Sequence, residues 1–186
     1  MILEFPSLSV WSLWILLVLI LMFACAGMAI GDKLRGEKIE NKEDHANAKT
    51  GILTVLPLLS LLVLCIFTPI VTGALFWAGC LLNLAACVMY ILSIKAFVTA
   101  RRGVTTVGIY RLSRNPMYVA MFMIFAGFAL MAWSASPFMG FLAAIVLFWN
   151  TVTTHWMILG EERFLQERYG ETYLSYKHVT PRYLVL

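Results

Sequence analysis

Long charge-free runs, separated by short polar segments, organise this chain. From Phe5 to Gly31 no residue is charged. That run suits one helix, at about 10–30, across a hydrocarbon core of ~30 Å at ~1.5 Å per residue. Asp32–Thr50 follows, a solvated loop with five cations and five acids. Gly51–Ile94 is again uncharged and too long for one span. Its divider is Thr68–Gly73, whose Pro69 and Gly73 break a helix. Two spans are therefore expected, at 51–67 and 74–95, with Lys95 snorkelling to the interface. After Arg114 charge disappears until Glu161. Ser134-Ala135-Ser136-Pro137 splits this stretch into spans at about 116–133 and 138–159, a tight antiparallel hairpin. Pro116 suits the first turn of its helix, where the missing N–H costs nothing. The segment 160–186 is charged and rich in tyrosine. Glu161–Tyr176 has the pattern of an amphipathic helix, with Phe164, Leu165, Tyr169 and Tyr173 on one side and Gly170 as a break point.

Composition supports the same picture. Hydrophobic residues make up 61% of the 186 and charged residues only 13%, about half the charged share of a soluble domain. So much apolar surface needs a bilayer as solvent. No cleavable signal peptide is expected, because the first apolar run is too long for an h-region and no cation precedes it. Cys25, Cys65, Cys80 and Cys87 all lie in apolar runs with no CxxC spacing, which reads as packing rather than ligation or disulfides.

The charge pattern then gives a topology. All fourteen Lys and Arg residues fall in three places: after the first span, between the third and fourth, and in the tail. The N-terminus and the two short turns have none. Cations collect on the cytoplasmic side. The expected fold is thus an all-α integral membrane protein forming one membrane domain over 1–186. It has five transmembrane helices, the N-terminus outside and the C-terminus cytoplasmic, with a C-terminal amphipathic helix covering the site. The net charge of +4 is accounted for by these loops and points to no nucleic-acid partner.

All polar segments share one face, so chemistry is expected there. Gly108–Tyr118 enters the fourth span and Thr151–Glu162 leaves the fifth, and their hairpin makes them neighbours. Asn150, Thr151, Thr153, Thr154 and His155 form a polar cluster near membrane depth, where polar groups either glue helices together or mark function. Thr151 and His155 share a helical face, which Glu162 joins at i+7. Neither a GxGxxG, a P-loop, an HExxH nor a GxSxG occurs. Three scattered histidines give no metal site.

The residues Gly108-x-Tyr110-x-x-x-Arg114-Asn115-Pro116-x-Tyr118 resemble the G-x-Y-x-x-x-R-H-P-x-Y signature of membrane methyltransferases. Those enzymes include isoprenylcysteine carboxyl methyltransferase and the phospholipid N-methyltransferases. Glu161-Glu162 followed by Tyr169-Gly170-x-x-Tyr173-x-x-Tyr176 resembles the second half of that signature. The resemblance covers about 103–182. It implies S-adenosyl-L-methionine as cofactor, bound at the cytoplasmic ends of the last spans under the C-terminal segment. It implies cofactor contacts from Arg102, Gly103, Val104 and Thr105, from Tyr110, from Arg114, Asn115, Pro116, Met117 and Tyr118, and from Glu161 and Glu162. The residue types suit that cofactor. A guanidinium holds its carboxylate, a Glu accepts from its ammonium and ribose hydroxyls, and a tyrosine face stabilises its sulfonium.

Two departures from the pattern matter. Asn115 stands where His is usual, and Asn cannot titrate. Met157 stands four residues before the first Glu, where the prenylcysteine enzymes carry an Arg for the substrate carboxylate. An amine or thiol acceptor would need a base, and His155 is the candidate catalytic residue. The leading expectation is methyl transfer to a lipid or lipidated acceptor at the membrane–cytoplasm interface, with membrane lipids as partners. Two other readings stand beside it. Membrane sterol reductases, which use NADPH, have a similar tail ending like Thr180-Pro181-Arg182-Tyr183. A non-catalytic membrane scaffold is the third.

Overall fold

A computed structural model describes residues 11–35, 48–100 and 103–184, with side chains from residue 55 onward in the second segment. The described residues form five α-helices: α1 Trp14–Arg35, α2 Ala48–Phe67, α3 Ala74–Thr99, α4 Pro116–Ala135 and α5 Pro137–Val179. A 3₁₀ turn, Gly108–Arg111, lies in the polar segment between α3 and α4. The described residues contain no β-strand, only an isolated bridge between Ser12 and Pro69. Helices α1, α3, α4 and α5 are long and apolar enough to cross a membrane, while α2 contributes a shorter apolar stretch, Val55–Phe67.

Boundaries shift where charge was used to place them. Helix α1 runs on through Lys33 to Arg35, and α3 passes Lys95 to Thr99. Lys and Arg are good helix formers, so a charge ends the apolar run without ending the helix. The larger shift is in α5. The amphipathic stretch starting at Glu161 continues the last apolar helix as far as Tyr169, and a second helical piece follows the kink at Gly170. Nothing in Glu161–Tyr169 breaks a helix. The break comes at Gly170, whose φ of 50° and ψ of −127° lie outside the helical region.

The ends of the bundle differ in kind. At one end the Leu13 N–H donates to the Thr68 carbonyl (3.0 Å) and the Ile70 N–H to the Trp11 carbonyl (3.1 Å). Ser134 Oγ donates to the Val71 carbonyl there (3.0 Å). Both uncharged turns and the start of the described chain thus gather together. At the other end the C-terminus of α1, the 103–115 segment and the tail converge.

Helix α4 packs between α3 and α5, α1 lies against α3, α2 lies against α5, and α1 meets α2 to close the bundle. The α3–α4 approach depends on glycine. A Cβ on Gly79 would lie 2.5 Å from the Gly127 carbonyl oxygen, and one on Gly127 would lie 2.6 Å from Asn83 Oδ1. Small residues let helix backbones meet where lipid gives no hydrophobic drive for association. Leu17, Leu61, Phe76, Phe125, Phe128 and Met131 fill the core. Trp77, Leu81, Leu84, Phe141, Phe148 and Trp156 face outward, as a lipid-bathed surface would have them.

Candidate functional site

The site is built where the chain after Val179 folds back over the entrance of α4. Gly170 ends the straight course of α5 and turns the following residues inward. Tyr173 and Tyr176 are consequently buried, their rings edge to face at 6.2 Å. Tyr176 Oη donates to the Tyr110 carbonyl at 2.6 Å, fixing the 3₁₀ turn against the tail. Residues 180–184 then run across the loop. The Arg114 N–H donates to the Pro181 carbonyl (2.9 Å). Ser113 Oγ (3.1 Å) and Asn115 Nδ2 (3.2 Å) both donate to the Arg182 carbonyl.

Glu162 is the charge centre of this arrangement. It is only 4% exposed. Arg182 clasps it with both arms of its guanidinium, Nε to Oε1 at 3.0 Å and Nη2 to Oε2 at 2.8 Å. Arg114 Nη2 adds an ion pair to Oε1 at 3.3 Å. Burial by itself would raise the Glu162 carboxyl. The Arg182 hydrogen bonds and the charges of Arg114, Arg182 and Lys177 outweigh it, and its pKa is lowered. Arg114 still has Nε and Nη1 buried without a partner among the described residues. Unpaired donors in such a place are costly and ask for an acceptor.

Glu161 faces the other way. It is exposed, and Oε1 accepts from Tyr118 Oη at 2.7 Å. Tyr110 belongs to the same neighbourhood. Its phenol is pushed well above the usual range, first by burial, with Glu161 adding to the shift and Arg35 opposing it. Arg35 closes this side: its guanidinium stacks 3.9 Å over Phe97, and Nη2 donates to the Gly103 carbonyl at 2.9 Å. Thr105 is buried, with Oγ1 3.5 Å from Arg35 Nη1.

His155 lies one to two turns deeper along α5. Its Nδ1 is 2.7 Å from Tyr183 Oη, and Tyr183 packs edge-on against Phe122 at 5.9 Å. Beside this pair is a cavity of about 450 Å³, lined by Val119, Phe122, Thr151, Val152, His155, Trp156, Tyr183 and Leu184.

The expected site residues therefore fall into groups. Arg114, Tyr118, Glu161 and Glu162 come together by direct contact. Tyr110 joins them through the tail and through charge. Gly103 and Thr105 are held from α1 by Arg35, and Val104, between them, is half-buried. Pro116 is buried in the first turn of α4, and Met117 is half-buried beside it. Asn115 faces the tail rather than open space, since its amide holds the Arg182 carbonyl. Glu162 has arginines on both of its oxygens. Arg102 lies outside the described residues.

Three participants escaped sequence reasoning: Arg35, Arg182 and Tyr183. For Arg182 and Tyr183 the Thr-Pro-Arg-Tyr terminus was a signal. For Arg35, one cation among five in its loop, there was none.

The bundle thus has four helices long and apolar enough to cross a membrane and an Arg–Glu–Tyr cluster at its charged end. The family model described as phospholipid methyltransferase matches residues 67–172. That is more than half of the 186 residues, and the chain belongs to this family of membrane methyltransferases. The matched stretch takes in α3, α4, most of α5 and both halves of the cluster. It leaves out Arg35 and the docking tail. Searches of curated proteins and of solved structures find no match.

Proposed function

We propose that this protein is an S-adenosyl-L-methionine-dependent methyltransferase that acts on a lipid or lipidated acceptor at the membrane–cytoplasm boundary. The observation that carries the reading is the convergence of Arg114 and Tyr118 with Glu161-Glu162 in a chain of this family. Five spans, a single membrane domain and a cytoplasmic site complete the proposal, resting on the distribution of cations.

The donors and acceptors fit the cofactor. The unpartnered Nε and Nη1 of Arg114 can each donate to an acceptor such as a carboxylate oxygen. Exposed Glu161 can accept from an ammonium or from ribose hydroxyls. The faces of Tyr110 and Tyr118 suit a neighbouring sulfonium. Glu162, already neutralised, holds Arg114 and the tail in place. When bound, the cofactor supplies an electrophilic methyl group on sulfur.

The protein's part is then alignment and exclusion of water, which in-line displacement chiefly needs. His155 is placed to take the acceptor's proton. If Nδ1–H donates to Tyr183 Oη, Nε2 keeps its lone pair, the state required of a base.

Equilibrium binding of radiolabelled S-adenosyl-L-methionine to the purified protein tests the reading. Saturable binding, weakened about tenfold by Glu161→Gln through loss of ~1.4 kcal/mol, is the expected result. Binding of NADPH instead would establish a reductase, and binding of neither would leave a scaffold.

A further inference from the structure

We infer that the cavity between α4 and α5 holds the hydrocarbon chain of an acceptor whose methylated atom sits on an uncharged polar end, not on a phosphate-bearing headgroup. The inference rests on the methyltransferase reading and narrows its substrate class.

The lining settles what can enter. Of the eight lining residues, Val119, Phe122, Val152, Trp156 and Leu184 are apolar, and none carries a fixed charge. About 450 Å³ is within the ~300–1,000 Å³ range of small-molecule sites. Trp156, 75% exposed, carries the wall to the outer surface, so a chain can pass in from the bilayer. The polar groups are confined to one patch, formed by Thr151, His155 and Tyr183 Oη. Thr151 is not a free donor there, because its hydroxyl bonds back to the Leu147 carbonyl at 2.8 Å. The His155–Tyr183 pair is thus the polar end of an apolar slot.

Depth decides against a phosphate. His155 lies six residues before Glu161, or roughly 9 Å along a helix rising ~1.5 Å per residue. The charged boundary of the protein begins only at Glu161. A phosphate at the His155 level would sit among apolar walls with no cation to meet it, a costly burial. Arg182 is clasped to Glu162, and the donors that Arg114 keeps beside its own pair with Glu162 are the ones assigned above to the cofactor's carboxylate. A hydroxyl or thiol end costs far less to bury and finds a hydrogen-bond partner in His155. In that step the acceptor's oxygen or sulfur forms the bond to the methyl carbon. The carbon–sulfonium bond breaks with its electrons to sulfur, and the acceptor's proton passes to His155 Nε2.

The tail ties this slot to the cofactor side. Arg182 closes on Glu162 and the next residue, Tyr183, closes on His155. One docking event therefore completes both walls.

Photocrosslinking of the full chain in nanodiscs tests the assignment. The probes are a long-chain alcohol and a phosphatidylethanolamine, each carrying a diazirine at mid-chain, with labelled peptides mapped by mass spectrometry. The alcohol is expected to label the Val119–Phe122 and Thr151–Trp156 peptides saturably. Val152→Trp, which fills the slot from an exposed position, is expected to reduce that labelling about tenfold. Phosphatidylethanolamine is expected to label only outward residues such as Phe148, without saturation. Saturable labelling of the slot by phosphatidylethanolamine, or no slot labelling by the alcohol, would overturn the inference. Cofactor binding by the wild-type preparation is measured alongside. Its absence sinks the methyltransferase reading, whereas its presence without slot labelling sinks this inference alone.

Discussion

At the scale of single residues, the site divides its two adjacent acids between two tasks. Glu162 is buried and clasped, and Glu161 is exposed and bonded to Tyr118. The clasp has a pH signature. A carboxyl whose folded pKa lies below its ordinary value of 4.5 stabilises the fold fully above that value, and the contribution is lost as pH falls through the lowered one. Melting temperature in detergent should therefore be insensitive to this group from about pH 5 to 8 and should fall in stronger acid. Glu162→Gln cannot titrate and should lose that part of the acid dependence. An unchanged acid limb in this variant would show that the clasp is not its source. His155 makes a separate prediction. His155→Ala should slow turnover about a hundredfold while leaving cofactor binding intact. Tyr183→Phe, which removes the partner of Nδ1, should alter the pH profile of turnover more than cofactor affinity. Full turnover by His155→Ala at every pH would end its assignment as a base.

At the scale of elements, one residue turns a straight helix into a lid. The motif around Tyr169-Gly170 marks a break point, but the sequence does not say which way the chain turns there. Gly170 supplies a positive φ that other residues adopt only under strain. A Cβ at this position would meet nothing within 4 Å, so any penalty is in the backbone alone. Gly170→Ala should cost about 1–3 kcal/mol and favour a straight α5, which withdraws Tyr173, Tyr176 and the tail from the loop. Trypsin should then cut after Arg182 faster than in the wild type. Equal cleavage rates would mean that the tail docks without help from the kink. The amphipathic stretch was legible from its pattern, whereas its continuity with the last span was not. Hydropathy marks where apolar residues stop, and a helix obeys backbone hydrogen bonding instead.

At the scale of the whole molecule, the asymmetry of the two ends carries the topology. The uncharged turns lie together, bonded through Thr68, Ile70 and Val71. Arg35, the 103–115 segment and the tail lie together at the other end. With cations held on the cytoplasmic side, Ser136→Cys should react with a membrane-impermeant maleimide applied to intact cells, in a background lacking the four native cysteines. Ser175→Cys should react only after lysis. The opposite pattern would reverse the orientation. The arrangement also suits the proposed chemistry, since a polar cofactor would approach the charged end while an apolar chain enters between α4 and α5.

The amino-acid sequence alone determined the apolar helical class, the breaks within 68–73 and within 134–137, and the pairing of Gly108–Tyr118 with the double Glu. These follow from local rules: apolar runs need lipid, Pro and Gly end helices, and a short hairpin makes neighbours. Only the tertiary structure decided how the cations are used. Arg35, Arg114 and Arg182 lie far apart in the chain and resemble other loop cations in sequence, yet each has a specific partner. Arg182 reaches Glu162 because the chain folds back after Gly170, while Arg35 and Arg114 find their partners through the packing of α1, α4 and α5, and both are set by burial and hydrogen bonding across the bundle rather than by any local pattern.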